Sequence, residues 1–417
     1  MTQPYTILVG DVLERLRELP ENSVHCCVTS PPYWGLRDYG VDGQIGLEAT
    51  PDEFIGKMVE VFRAVRRVLR EDGTLWLNIG DSYASSGRSD RKESPGVGAK
   101  QEMGAPGRAL EWEAGGGHNF SWFIPTSTGR IKPKDLCMMP WRVALALQAD
   151  GWYIRSVVVW YKKSPMPESV SDRPTSSWEP IFLMSKSARY FYDAEAVKEP
   201  LTEAAVHRQK YGYKNMYGAI IEANRHSDKR SFEDAKSYVA DDLPSGRNQR
   251  NVWHLGPEPY TEAHFATFPT EIPRRAIKAG TSEKGCCSAC GACWVRKREV
   301  DVSTDGRENA GERHGVGYAV SRLDARGKCP SGLVVASRTT GWEPGCSCRG
   351  AEIAPCVVLD PFLGSGTTLA VARQLGRTGI GIELNPEYVK LAHDRIGKAE
   401  KPHTHRTDKA EAGGLFA

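Results

Sequence analysis

Between Val357 and Thr368 the chain reads VVLDPFLGSGTT, and no other stretch limits the fold so sharply. The run Val357 to Asp360 has the composition of a short strand buried on both faces, as a parallel sheet requires. Gly364 and Gly366 let the backbone bend tightly beneath a ligand. Thr367 and Thr368 then start a helix whose first amides face the turn. The glycine pair is no P-loop, since no lysine follows it, and it lacks the third glycine of a dinucleotide turn. The next strand, Gly379 to Glu383, ends in a carboxylate placed to accept from ribose hydroxyls.

A second stretch lies far upstream, where the apolar run Val24 to Val28 closes on Thr29-Ser30-Pro31-Pro32-Tyr33-Trp34. Two consecutive prolines fix φ and remove two backbone donors, so the carbonyls of Ser30 and Pro31 become an acceptor edge of set direction. Tyr33 and Trp34 add a flat apolar wall. Such a loop suits a planar heterocycle with an exocyclic amine, a nucleobase-sized ligand whose NH2 donates to the Ser30 hydroxyl and the Pro31 carbonyl.

Together these stretches resemble motif IV and motif I of the DNA amino-methyltransferases, and their order resembles the permuted beta group of that family. The resemblance implies an α/β fold: a Rossmann-like S-adenosylmethionine-dependent methyltransferase, with a mostly parallel central sheet flanked by helices, a target recognition insertion and a small zinc-binding insertion. It implies a catalytic loop of Ser30, Pro31, Pro32 and Tyr33, and a cofactor site holding Asp360, Phe362, Gly364, Gly366, Thr367, Thr368 and Glu383. Asp11 reads as the N-cap of a helix carrying Val12, Leu13, Leu16 and Leu19, and in that family the same Gly-Asp lies near the cofactor adenine. The segment His264 to Pro269, with Thr267 and Phe268, resembles motif X, which lies beside the cofactor methionine.

The implied partner is double-stranded DNA, with the target base flipped out onto Tyr33 and methylated by direct displacement, and a cognate restriction endonuclease is implied as well. Ser30 resembles the cytosine-N4 enzymes more than the adenine-N6 enzymes. A carbon-5 cytosine methyltransferase needs a Pro-Cys nucleophile after the cofactor motif, whereas Pro355-Cys356 precedes it. Two other classes compete: a non-catalytic, zinc-stabilised DNA-binding protein, and a protein or RNA methyltransferase with an Asn-Pro-Pro-Tyr loop, whose motif order is the reverse of this one.

Along the chain, residues 1–83 read as the catalytic half, 84–130 as a flexible insertion rich in glycine and charge, and 131–199 as core continued. Residues 200–250 occupy the target recognition position, 251–280 return to the core, 281–355 form a zinc-binding insertion, 356–400 are the cofactor half and 401–417 a mobile tail. Thr50, Pro51 and Glu53 compose a capping box before a helix striped by Phe54, Met58, Phe62, Val65 and Leu69. Glu71-Asp72-Gly73 is expected to end it, with a strand over Thr74 to Ile79. A helix follows from Pro140 to Asp150, then strands over Trp152 to Trp160 and Ser177 to Met184, with Lys162 and Lys163 at a strand end suited to phosphate contact. His25 reads as structural, and Cys26 and Cys27 as core.

The insertion contains Cys286, Cys287, Cys290 and Cys293, then Cys346 and Cys348. A C-x-x-C knuckle and a C-x-C pair converge readily on one tetrahedral zinc. Cys286 and Cys293 compete for places in it. The pattern of relatives in that family selects Cys287, Cys290, Cys346 and Cys348, and four thiolates leave no open position for chemistry, so this zinc is structural.

Composition adds bounds. A chain of 417 residues, 40% hydrophobic, is long enough for a large α/β domain with insertions, and a net charge of +3 neither demands nor excludes nucleic acid. There is no basic start followed by an apolar run, and no stretch of about 18 apolar residues. A soluble, cytoplasmic protein without membrane contact is expected, in which eleven cysteines serve packing or metal ligation rather than disulfides.

Overall fold

The structure, a computed structural model, describes residues 4–36, 40–84, 131–132, 134–165, 167–202, 246–256, 258, 268–301 and 336–399. Most of the expected 84–130 insertion, residues 203–245 of the expected recognition region, Thr267, residues 302–335 and the 401–417 tail lie outside the described residues. The chain divides into two units, one of Met1–Asp193, Arg250–Cys293 and Cys348–Ala417 and another of Ala194–Gln249 and Trp294–Ser347.

The first unit is built on an eight-stranded sheet. Its strands are β1 (Tyr5–Val9), β2 (Val24–Thr29), β3 (Leu69–Asn78), β4 (Tyr153–Lys162), β5 (Trp178–Ser185), β6 (Val252–Leu255), β11 (Val357–Asp360) and β12 (Thr378–Glu383). They run in the order β1-β12-β11-β2-β3-β5-β4-β6. Every neighbouring pair is parallel except the two made by β5, which is antiparallel to both β3 and β4. The sheet is therefore mostly parallel, and strands at its centre are buried on both faces, as the six-residue buried run of β2 illustrates.

Helices α1 (Val12–Glu18), α2 (Pro51–Val68) and α3 (Met139–Ala149) share one core with one face of this sheet. Thr50 caps α2 by accepting from the Glu53 amide at 3.2 Å while the Glu53 carboxylate accepts from the Thr50 amide at 3.3 Å. The stripe Phe54, Met58, Val61, Phe62 and Val65 is fully buried; burial of such a side chain is worth about 1.5–3 kcal/mol. Helices α4 (Glu271–Gly280), α5 (Thr367–Gln374) and α6 (Pro386–Lys398) cover the other face. The alternation of β2 shows the division. Cys27 joins the α1–α3 core, whereas the Cys26 thiol points the other way, 3.8 Å from the Ala276 carbonyl of α4.

One boundary departs from expectation. Helix α2 ends at Val68 and β3 begins at Leu69, five residues before Thr74. Leu69 is extended, fully buried and paired with Val24, so tertiary burial outweighs the turn-forming chemistry of Glu71-Asp72-Gly73. That polar stretch lies where the β2–β3 register shifts between Val24 and Cys26.

A short pair, β7 (Cys286–Cys287) with β10 (Ile353–Ala354), belongs to this unit too. In the second unit, β8 (Val295–Asp301) and β9 (Ala336–Glu343) form an antiparallel ribbon, and Arg247 pairs with Glu199 at 3.0 Å. No described helix is long and apolar enough to cross a membrane.

Candidate active site

Two crossovers leave the centre of the sheet in opposite directions. The chain goes from β2 through α2 to β3 on one side, and from β11 through α5 to β12 on the other. Between them β2 and β11 lie side by side and parallel, with Val358 opposite Cys26 and Leu359 opposite Cys27. Open α/β sheets bind ligands outside the carboxyl ends of the strands at such a reversal. Here both loops singled out from the sequence leave those ends, and they share a cavity of about 430 Å³.

The β11 side of the cavity is electrostatically tense. Asp360 is 2% exposed, and its Oδ1 accepts from the Thr29 hydroxyl at 2.7 Å and the Phe362 amide at 3.1 Å. Burial pushes its pKa up to about 7, with the Glu383 charge adding, against the opposing pull of hydrogen bonds from Thr29, Thr368 and Phe362. Burial also raises Glu383, although its carboxylate accepts from the Gly364 amide at 2.7 Å and the Asn385 amide at 2.8 Å. Glu383 thus shapes the glycine turn itself, and its remaining lone pairs stay available to a hydroxyl donor. Asp11 caps α1, accepting from Leu13 and Glu14 amides at 2.9 and 3.0 Å, and lines the same cavity.

On the β2 side, Tyr33 is held by a ladder of polar groups across three strands. Its hydroxyl lies 3.0 Å from Glu179 Oε2 and 3.2 Å from Asn78 Oδ1, either of which accepts its proton, and it receives the Ser30 hydroxyl at 3.4 Å. Asn78 in turn donates to Glu179 Oε2 at 3.2 Å and to the Pro180 carbonyl at 3.1 Å, while the Lys162 ammonium pairs with Glu179 Oε1. The ring sits directly on Gly80, where an added Cβ would lie 2.3 Å from Tyr33 Cε2. Trp34 does not share this wall. It packs against the α1–α3 core, and its indole donates to the Glu48 carbonyl at 2.9 Å.

Ser30, Pro31, Pro32, Tyr33, Asp11, Phe268, Asp360, Phe362, Gly364, Thr367 and Glu383 all line the cavity. Gly366 and Thr368 stand behind its wall. Gly366 adopts φ +81° as the residue before α5, and a Cβ there would lie 3.0 Å from Ala392 Cα of α6, so this glycine permits close helix packing. The buried Thr368 hydroxyl stands between the Asp360 carboxylate and the Val28 carbonyl, 3.3 Å from the latter, and either can take its proton. Asn78 and Glu179 were missed by the sequence reading. Their only signal was polarity inside otherwise apolar strand segments. Lys162, expected at a strand end suited to phosphate contact, pairs with Glu179 and lines the cavity.

Cys287 and Cys290 form a tight knuckle in which the Gly291 amide donates to the Cys287 carbonyl at 2.8 Å. Their sulfurs and that of Cys348 lie within 4.8 Å of one another. Cys346, two residues before Cys348, falls in the second unit.

A family model described as DNA methylase, of the N6/N4 group, matches residues 24–287 and 356–394. The chain belongs to the N6/N4 DNA methylase family. This methylase is 36% identical over 391 residues to the Type II methyltransferase M.Cfr9I of Citrobacter freundii, covering 94% of this chain and 87% of the relative. To the Type II methyltransferase M.SmaI of Serratia marcescens it is 35% identical over 390 residues, covering 94% and 90%. A solved PvuII DNA methyltransferase, titled cytosine-N4-specific, overlaps 95% of the methylase and 87% of its own chain at 15% identity and a TM-score of 0.49, a likeness too weak to add to the assignment.

Proposed function

We propose that this methylase transfers a methyl group from S-adenosylmethionine to the exocyclic N4 amine of a cytosine flipped out of double-stranded DNA. The observation carrying this reading is that the Ser30–Tyr33 loop and the Asp360–Glu383 segment, more than three hundred positions apart in sequence, line one cavity. The residues present fit the methyl donor. The glycine turn leaves backbone space, Glu383 and Asp11 offer acceptors for sugar and adenine groups, and Asp360 to Phe362 with Phe268 form the adjoining wall. When bound there, S-adenosylmethionine supplies an electrophilic methyl group.

The protein's part is alignment. Ser30 Oγ and the Pro31 carbonyl accept from the two amine protons of the target base, which directs the nitrogen lone pair out of conjugation and toward the donor side of the cavity. Tyr33, fixed by Glu179, Asn78 and Gly80, offers its ring face to the base. With no covalent intermediate, most of the rate comes from this positioning and from acceptors that stabilise positive charge building on the amine. Serine rather than an acidic or amide residue at position 30 favours cytosine over adenine.

We further assign a structural zinc to Cys287, Cys290, Cys346 and Cys348. The knuckle and the proximity of three of the sulfurs suit this donor set, and Cys346 is tethered within two residues of the third. The relatives being Type II methyltransferases, a restriction endonuclease of the same recognition sequence is the expected partner, and the cytoplasm the expected location.

The test is to incubate the purified protein with labelled S-adenosylmethionine and duplex DNA, digest the product to nucleosides and identify the labelled one by mass. N4-methylcytosine is expected. N6-methyladenine overturns the assigned base, and absence of any transfer favours a non-catalytic DNA-binding protein.

A further inference from the structure

Cys286 and Cys287 are consecutive on β7, so their side chains leave on opposite faces. Cys287 turns toward Cys290 and Cys348. Cys286 turns toward a different set, namely His25 of β2, Cys293 and Cys356. The sulfurs of Cys293 and Cys356 are 3.8 Å apart and a ring nitrogen of His25 lies within 4.8 Å of both, while Cys286 packs in the same buried cluster as the other two cysteines, its thiol 3.4 Å from the Ala354 carbonyl. His25, Cys286 and Cys293 are each 4% exposed and Cys356 is fully buried. All four belong to the first unit.

Three thiols and an imidazole gathered out of solvent are more than packing requires. Alanine or valine would fill the space without burying a polar ring. The sulfur separation excludes a disulfide and is compatible with a shared ion. A disulfide needs about 2.05 Å, whereas tetrahedral bonds of about 2.3 Å place two sulfurs about 3.8 Å apart. The histidine is oriented as a ligand would be. Its Nε2–H donates to the Gly291 carbonyl at 2.8 Å, an outer hydrogen bond of the kind that fixes the tautomer of a metal-binding histidine. Nδ1 accepts from the Val357 amide at 3.0 Å, and ligating an ion through Nδ1 requires that this bond be given up. Arg377, buried and held by Thr281 at 3.0 Å, lies in the field of Cys356 and Cys293 and supplies a counter-charge to three thiolates.

We propose that Cys286, Cys293, Cys356 and His25 form a second structural zinc site, back to back with the Cys287–Cys290 knuckle. Its ligands sit on β2 and directly before β11, at the ends opposite the cavity. A metal there clamps together the two strands whose other ends carry Ser30 and the Asp360 turn. The site is independent of which base is methylated, and of methylation itself.

Zinc content and coordination of the purified full-length protein test this without an activity assay. Two zinc ions per chain are expected by elemental analysis, falling to one in Cys356→Ala and, separately, to one in Cys290→Ser. X-ray absorption of the wild type should show about 3.5 sulfur and about 0.5 nitrogen ligands per zinc, the mean of one site of four thiolates and one of three thiolates with an imidazole. This reading does not depend on whether either variant folds. A single zinc with sulfur ligands only, unaffected by Cys356→Ala, overturns the proposal. A single zinc with a nitrogen ligand, lost in Cys356→Ala, upholds it and overturns the knuckle zinc instead.

Discussion

The Thr29 hydroxyl donates to Asp360 Oδ1 at 2.7 Å, joining residues 331 positions apart. Each is the last residue of its strand, and the strands are neighbours and parallel. This bond therefore sets the spacing between the loop proposed to hold the base and the turn proposed to hold the methyl donor.

Asp360 gives the chain a pH signature. Its folded pKa, pushed up to about 7 from 3.8, lies above that of the unfolded chain, so between these values the native state holds a proton that the unfolded state has lost. The associated stability is fully present below about pH 4 and is lost as pH rises through about 7. Asp360→Asn keeps the Oδ1 acceptor but cannot ionise. In denaturant titrations without ligand, the variant should gain on wild type between pH 5 and pH 8, by on the order of 1 kcal/mol or more. Donor affinity should fall at the same time. An unchanged stability difference across that range would mean that Asp360 is not held up by burial.

Tyr33→Phe keeps the ring on Gly80 and removes the hydroxyl that meets Glu179 and Asn78. Single-turnover methylation should slow by roughly 10-fold, about 1.4 kcal/mol in the barrier, with donor affinity unchanged because Tyr33 lies on the β2 side. Tyr33→Ala, which removes the proposed stacking face, should slow it at least 10-fold further. Equal effects of the two variants would exclude stacking as the role of the ring.

Gly80→Ala forces a Cβ to within 2.3 Å of Tyr33 Cε2 unless the loop moves. Overpacking of this kind costs about 1–3 kcal/mol. The ring, not the backbone that follows β3, is the group able to yield, so methyl transfer should drop more than thermal stability does. Kinetics and calorimetry on one preparation distinguish that outcome from simple unfolding.

Far from the cavity, Thr50→Ala removes the side-chain half of the α2 capping box. Equilibrium unfolding should register a loss of about 1 kcal/mol, and methylation under saturating conditions should be unchanged. A large activity loss there would show that α2 does more than support the sheet.

Local devices were legible because their physics is short-ranged. Thr50 with Glu53 and Asp11 before α1 cap within three residues, and the structure contains both. The strand, glycine turn and helix start over Val357 to Thr368 are likewise a property of that segment alone. The α2–β3 boundary was not legible, since Glu71-Asp72-Gly73 reads locally as a stop while Leu69 answers to its burial against β2. Nor did spacing alone settle whether Cys286 and Cys293 compete for places beside Cys287 and Cys290. In the fold Cys293 lies with His25 and Cys356, apart from the cluster that holds Cys287 and Cys290.

What the sequence determined by itself was the kind of site: an acceptor edge stiffened by Pro31 and Pro32, and a glycine turn closed by carboxylates at Asp360 and Glu383. Residue chemistry and spacing are enough for that. Only the tertiary structure decided that β2 and β11 are neighbours, that β5 runs against the rest of the sheet, and that Asn78 and Glu179 hold Tyr33. Strand order and orientation depend on which buried faces fit together across hundreds of residues, and no local pattern in this chain encodes that choice.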